Sequence, residues 1–394
     1  MPRGYRVHSK AVPNHPYPAP RAARVPDRCR VLAVGPGEGF LTGQSAAFLT
    51  YVRKSHHSIA VVNTNDEGMS FMAHAGSSIR VIIRSAWRML FHRQDCVYIS
   101  TSRSRLGAIK DISVIALARL RGVPVVNHLH GITFTAFRES LGSLYGSIVD
   151  WAYGYIAASI VLHENLIAQY ARYPRMKVAV VNNFVAAEVA DSLKAKSNAG
   201  GGPINLLFMS NMIPEKGIFE LVDAVKNLLL QRPGELRLKI AGRFLAGDGL
   251  SAGEVEAKLF RSIAGSPEIE YCGFADPLLK QSLLEWAYVL ALPSYMKEEA
   301  IPLVVLEGMA AGCYLIVSDF GVLPHLVKEL IAAVVPARDI AALQGALAAV
   351  IRNPGLLIEA AALNPQIARE KYSESQYILG VDAIIGEFER AARR

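Results

Sequence analysis

The chain has 394 residues, of which 52% are hydrophobic and 19% charged, too long for one ordinary hydrophobic core and too apolar for a disordered polymer; two domains are expected. Its net charge of +8 is unevenly spread, with 24 basic against 11 acidic side chains in residues 1–200 and 18 against 23 in residues 201–394. A basic half of this kind points to nucleic acid, an anionic membrane face or a phosphorylated substrate, and the motifs must choose among them.

Residues 1–28 carry Pro13, Pro16, Pro18 and Pro20 among scattered arginines, a composition that builds no core and reads as a flexible tail without a secretory h-region. Arg30–Gly35 is a short apolar strand that runs into a glycine loop, Gly35, Gly37, Gly39 and Gly43, before an amphipathic stretch from Ala46 to Arg53. Strand, glycine loop and helix open a Rossmann-like unit, but Phe40 stands where a dinucleotide fingerprint needs its last glycine. Further strands are expected at Ser58–Val62, Cys96–Ile99, Pro124–Val126 and Ser159–Leu162, with helical patterns between them. That alternation argues for an α/β fold with parallel sheets covered on both faces. Arg80, Arg84 and Arg88 recur at four on one predicted helix that also carries Trp87 and Phe91. Such a helix is either a membrane-docking or acceptor-binding element, or a solvated outer face over a buried one. After Val126 come His128 and His130, placed by this reading just beyond a strand end, where open α/β sheets bind ligands. No third ligand stands at metal-binding spacing near them, so no metal is expected.

The Ala-, Ser-, Lys- and Gly-rich stretch at 191–203 is the clearest boundary in the chain and reads as a hinge between a first domain at 29–190 and a second at 204–372. The second half restarts with strand Ile204–Met209, then Ser210–Gly217, then a helical pattern from Ile218 to Leu230. The final stretch, 373–394, is an amphipathic helix. Cys29, Cys96, Cys272 and Cys313 lack CxxC pairing and read as reduced core residues. No uninterrupted apolar run approaches the roughly 20 residues that a membrane-spanning helix needs.

The most informative stretch is Ser294–Gly312, SYMKEEAIPLVVLEGMAAG, behind the apolar run Val289–Pro293. Pro302 suits the first turn of a helix. Glu299 then lies in the loop before that helix and Glu307 one to two turns inside it. Two carboxylates thus border a helix N-terminus whose free amides suit an anion.

Glu299, Pro302, Glu307 and the Gly-Met-Ala-Ala-Gly that ends the stretch resemble the donor-binding signature of the retaining family-4 glycosyltransferases, with Ala300 for the usual Gly and Gly308 for the usual Ala. The resemblance implies the GT-B fold, two Rossmann-like domains facing across a cleft, with the last helix crossing back to the first domain. It implies a nucleotide diphosphate sugar as donor, no cofactor and no required metal. Residue by residue, it implies that Glu299, with Ala300, Ile301, Pro302 and Leu303, meets the donor sugar and that Glu307 meets the ribose. Lys216, Gly217 and Asn211 would hold the diphosphate, Asn211 standing where the family has Arg; Arg243 is a possible substitute for that cation. Gly43 would close over the donor, and His130, with His128 as second choice, would touch the sugar from the opposite domain. The expected reaction is sugar transfer with retention to an acceptor hydroxyl. The acceptor is expected to be a lipid-linked saccharide of cell-surface polysaccharide assembly, reached by a peripheral enzyme on the cytoplasmic face of an anionic membrane. A sugar-nucleotide epimerase using the same donor site is the alternative. A nucleic-acid-binding protein is the weaker one, because the basic half lacks interleaved aromatics and reader motifs.

Overall fold

The computed structural model describes residues 28–37, 42–64, 71–194, 196 and 202–392. The expected N-terminal tail up to residue 27, residues 38–41 of the glycine loop, and residues 195 and 197–201 of the expected hinge lie outside them. The first half runs β1 (Arg30–Gly35), α1 (Gly43–Lys54), β2 (Ser58–Asn63), α2 (Phe71–Phe91), β3 (Cys96–Ser100), α3 (Arg105–Leu120), β4 (Val125–Leu129), α4 (Phe134–Glu139), α5 (Ser143–Tyr153), β5 (Ala158–Val161), β6 (Lys177–Val180) and α6 (Ala187–Ser192). The second runs β7 (Ile204–Met209), α7 (Ile218–Gln231), β8 (Leu236–Ala241), α8 (Ala252–Ile263), β9 (Ile269–Tyr271), α9 (Pro277–Trp286), β10 (Val289–Leu292), α10 (Leu303–Ala310), β11 (Tyr314–Ser318), α11 (Leu323–Leu326), β12 (Ala332–Val335), α12 (Ile340–Arg352), α13 (Gly355–Lys371) and α14 (Glu374–Ala392).

The strands form two six-stranded sheets in the orders β2-β1-β3-β4-β5-β6 and β12-β11-β10-β7-β8-β9, and every pairing is parallel. Parallel strands need helical crossovers that cover both faces, and so β3, β4, β10 and β11 are continuous buried runs with no polar alternation. In each sheet the order reverses near the middle, and the crevice at that switch point, outside the carboxyl ends of the strands, is where such sheets bind ligands.

Local chemistry sets the helix ends around that crevice. Thr42 caps α1 in a reciprocal capping box with Ser45. Pro302 is the N-cap of α10, one position before the first helical turn that the sequence suggested. Gly312, at φ +70°, ends α10 in a left-handed turn in which Cys313 N–H returns to Gly308 O at 2.9 Å. Gly308 lets α10 lie directly on the sheet, since a Cβ there would come within 2.8 Å of Leu290.

β4 is longer than expected. It continues from Val125 through Asn127 and His128 to Leu129 because its neighbours β3 and β5 both pair along it. His128 is therefore inside the sheet and fully buried, and His130 is the first histidine beyond the strand.

The last helix, α14, packs on α1 and β3 of the first half. It is fastened there by a buried carboxylate, Asp382, which accepts from Tyr51 OH at 3.0 Å, Ser55 Oγ at 2.6 Å and His56 N–H at 3.1 Å. Lys54 adds an ion pair to Glu374 at 2.7 Å.

Candidate active site

A cavity of about 590 Å³ lies between the two sheets. From the first half it is lined by Gly43 at the start of α1, Arg103 after β3 and His130 after β4; from the second by Asn211 and Lys216 after β7, by 298–302 after β10, and by Glu307 of α10. The halves touch across its floor: Asn183 Nδ2 donates to Ile301 O at 3.1 Å, and Arg103 Nη1 donates to Glu298 O at 3.4 Å.

Lys216 reaches the cavity from a single tight turn. Pro214 starts it, and Gly217 ends it at φ +79° and leads straight into α7. A side chain on Gly217 would collide with Pro293 O, so glycine is what lets this turn rest against the end of β10. Gly217 thus acts through the backbone and does not line the cavity. Glu215 O accepts Tyr295 N–H at 2.8 Å and ties the turn to the loop after β10. Lys216 Nζ there ion-pairs with Glu299 Oε1, while Glu299 Oε2 accepts Ser294 Oγ at 2.7 Å. Ser294 is itself held by Ser318 Oγ, which donates to its carbonyl. Both charged side chains are nearly buried, at 12% and 10% exposure, so the pair is held in one geometry at reduced dielectric. Glu307 is buried as well and accepts Lys280 Nζ at 2.7 Å. Between the two carboxylates α10 begins without a side-chain cap, and its first residues, Leu303 and Val304, line the cavity, where the free amides of a helix start suit an anion.

On the opposite wall His130 has both ring nitrogens shielded from solvent and without a hydrogen-bond partner. It stacks on His128 with ring centroids 4.0 Å apart. Burial, helped by the neighbouring Arg103 charge, pushes the His130 imidazolium down from the ordinary 6.5 to about 3, so the ring is neutral at pH 7. An unpartnered buried imidazole aimed into a cavity suits a ligand hydroxyl, with which it can donate or accept. His128 does not line the cavity: its Nδ1 is bonded to Tyr98 OH at 2.8 Å, and burial first, then His130, drives its pKa well down. The sequence reading of His128 as a donor contact is therefore replaced by a structural role beneath His130.

These two shifts predict an acid-side instability. The folded-state values are depressed, so below the unfolded value near 6.5 the unfolded chain takes up protons that the folded chain refuses. Stability is then lost as pH falls below about 6.5, for His130 down to about 3, by up to about 1.4 kcal/mol per pH unit for each histidine. Urea midpoints measured between pH 7 and 4 should fall less steeply in His130→Gln than in wild type; equal slopes would contradict the assignment.

Of the other expected residues, Ala300, Ile301, Pro302 and Leu303 line the cavity. Arg243 does not substitute for the missing arginine at Asn211; its guanidinium lies over the Phe274 ring at 4.0 Å. Arg80, Arg84 and Arg88 lie away from the cavity on α2. Sequence reasoning missed Arg103, Lys280 and Ser294. Arg103 had a signal, standing three residues past β3 at a strand's carboxyl end, whereas Lys280 had none because its partner is 27 residues away.

Residues 189–369 match the family model described as Glycosyl transferases group 1. A curated relative, the glycogen synthase of Mycobacterium tuberculosis, is 27% identical over 250 residues, covering 61% of this chain and 57% of its own length, so the match spans little more than half of that protein. Solved structures with the same architecture include sucrose-phosphate synthase from Thermosynechococcus elongatus, with a TM-score of 0.69 at 14% identity over 92% of this chain and 100% of that one. Anabaena HepE in complex with UDP and glucose has a TM-score of 0.67 at 14% identity over 91% and 99%. The trehalose-6-phosphate synthase OtsA has 0.68 at 13% over 91% and 99%. With an architecture shared across nearly the whole length, the chain has the GT-B fold, and its residues 189–369 are similar to the glycosyl transferases group 1 family.

Proposed function

We propose that this protein is a retaining glycosyltransferase that moves a sugar from a nucleotide diphosphate sugar to an acceptor hydroxyl. The observation that carries this reading is the 590 Å³ cavity, with Lys216, Glu299, Glu307 and an uncapped helix start on one wall and a neutral His130 on the other. Lys216 and the first amides of α10 take the diphosphate, Glu307 the ribose, and Glu299 the sugar hydroxyls. His130 contacts the sugar from the first domain, and Gly43 lets the chain approach it. As the anomeric carbon–oxygen bond breaks, negative charge grows on the diphosphate, where a fixed cation and oriented amides act most strongly. The acceptor oxygen attacks the face that the diphosphate leaves, and its proton passes to a diphosphate oxygen. Retention then needs no carboxylate nucleophile. The HepE complex with UDP and glucose, a GT-B neighbour, supports a donor of this class. The test is incubation with a panel of NDP-sugars, reading release of the nucleoside diphosphate: release from one of them is expected, and no release from any would overturn the reading. Release should persist in EDTA, because Lys216 and helix amides meet the diphosphate charge; loss in EDTA with rescue by manganese would disprove metal independence.

The acceptor side of the same reading is a lipid-linked saccharide on an anionic cytoplasmic membrane surface. On α2, Val81, Ser85 and Met89 are buried, and the next rows are Arg80, Arg84 and Arg88, then Ile79, Ile83 and Trp87. Ile79, Ile83, Trp87 and Phe91 are all more than half exposed. The sequence left open whether Trp87 and Phe91 lie beneath the arginines; they stand outside, beside them. Helix α2 packs on α3 and α3 on α5, and Ile109, Leu120, Leu144, Ile148 and Trp151 of α3 and α5 are exposed as well. Arginines beside solvent-exposed aromatics suit the interface of an anionic bilayer, at about 1 kcal/mol per basic residue. No single helix among the described residues is long and apolar enough to cross a membrane. Wild type should sediment with anionic but not neutral vesicles, and Arg80→Ser with Arg84→Ser and Arg88→Ser should release it. A wild type that stays in the supernatant at low salt would remove the membrane from the proposal and leave the donor chemistry in place.

A further inference from the structure

A second, smaller cavity of about 150 Å³ opens between the end of β2 and α2, lined by Asn63, Ser77, Arg80, Val81 and Arg84. That is about five times the roughly 30 Å³ share of one liquid water, room for a phosphoryl or diphosphoryl group but not for a nucleotide. Ser77, Arg80 and Arg84 are spaced three and four apart, so one edge of α2 presents all three toward Asn63. Among the described residues no carboxylate pairs with Arg80 or Arg84, and neither Asn63 nor Ser77 spends its side chain on another group. Two guanidiniums without a carboxylate partner among the described residues, with a hydroxyl and an amide on a pocket of this size, form a receptor for a phosphate oxyanion.

Its place in the fold says what the phosphate belongs to. Asn63 is the register partner of Gly35, the end of β1, and a Cβ on Gly37 would run into the Asn63 side chain. The same connection continues to Gly43, which lines the large cavity. Both cavities thus open along the carboxyl edge of one sheet. The arginine row of α2 is also the boundary between its buried row and its exposed apolar row of Ile79, Ile83 and Trp87. We propose that Asn63, Ser77, Arg80 and Arg84 bind the phosphate or diphosphate of the acceptor, holding it beside the donor cavity while its saccharide reaches toward His130. The proposal rests on the glycosyltransferase reading for the word acceptor; the oxyanion site stands without it.

The test titrates inorganic pyrophosphate into the full chain at low salt, followed by calorimetry. Lys216→Ala, which disables the donor diphosphate contact, should keep one pyrophosphate site. In that background Arg80→Ser with Arg84→Ser should weaken the remaining site at least tenfold. Ser77→Val, which fills the pocket without removing a charge, should weaken it as well. If Lys216→Ala abolishes all binding, or both pocket variants bind as tightly as their parent, the site is wrong. Displacement of pyrophosphate by neutral vesicles doped with a polyprenyl phosphate assigns the phosphate to a lipid. Displacement by a hexose 6-phosphate in solution assigns it to a free phosphosugar. Displacement by neither overturns the acceptor role. A chain that keeps this pyrophosphate site but releases no nucleoside diphosphate from any NDP-sugar retains the site and loses the glycosyltransferase reading; the opposite pair of results does the reverse.

Discussion

Replacing Glu299 by Gln or Lys216 by Ala is expected to lower sugar transfer at least tenfold, with the fold unchanged. Each removes one member of a charge-assisted contact at a site that is nearly dry, and loss of about 1.4 kcal/mol of transition-state stabilisation is already a factor of ten. The two variants should differ in kind. In the proposed reaction Lys216→Ala removes the cation from the diphosphate, where charge would grow as the bond breaks, so it should depress kcat more than it raises KM. It also leaves Glu299 without its ion pair, 10% exposed and held only by Ser294. Glu299→Gln keeps a hydrogen-bonding side chain of the same size but loses the negative charge that pairs with Lys216 and, in the proposed reaction, meets the sugar hydroxyls. Steady-state kinetics with thermal melts as the fold control settle the matter: turnover within twofold of wild type in both variants, with unchanged melting, would contradict the assigned roles.

The second large effect is on stability and lies far from the cavity. Asp382 is 1% exposed and gathers Tyr51, Ser55 and His56 of the first half onto α14. Burial first, and then Asp382, raises the Tyr51 phenol well above its ordinary range, so this hydroxyl stays protonated and needs its acceptor. Asp382→Ala strands that buried donor together with Ser55 Oγ and the His56 amide and is expected to cost about 3–5 kcal/mol in all, at roughly 1–3 kcal/mol for each polar group left unpaired. For a domain of this size that lowers the melting temperature of the transition involving the first domain and α14 by about 6–20 °C. Asp382→Asn retains one acceptor oxygen and should fall between the two. A scan in which Asp382→Ala melts within 2 °C of wild type would show that α14 is held by its apolar face alone, through residues such as Tyr377, Val381 and Ile385.

Much of the architecture was legible in the chain. Apolar runs of four to six residues alternating with helical patterns specify parallel strands with covering helices, because a strand buried on both faces has no polar alternation to show. The spacing of Glu299, Pro302 and Glu307 likewise put one carboxylate before a helix and one inside it, because proline's fixed φ and missing N–H act within a single turn. Both side chains do border the large cavity. His128 and His130 show the limit of such local reading. The sequence placed both just beyond a strand end, and only the pairing of β4 with β3 and β5 decides that the strand runs on to Leu129, so that His128 is sealed into the sheet while His130 lines the cavity.

What the tertiary structure alone decided was which distant residues meet. Lys216 and Glu299 are 83 positions apart, Lys280 and Glu307 are 27 apart, and Tyr51 and Asp382 are 331 apart. Sequence periodicity reports the conformation of each strand but not its neighbours, and crossover order sets those. Because β10 lies next to β7 in the second sheet, the turn after one strand and the loop after the other end at the same place. The ion pair lining the cavity is a consequence of that order, and Lys280 entered the site through packing that no local pattern encodes.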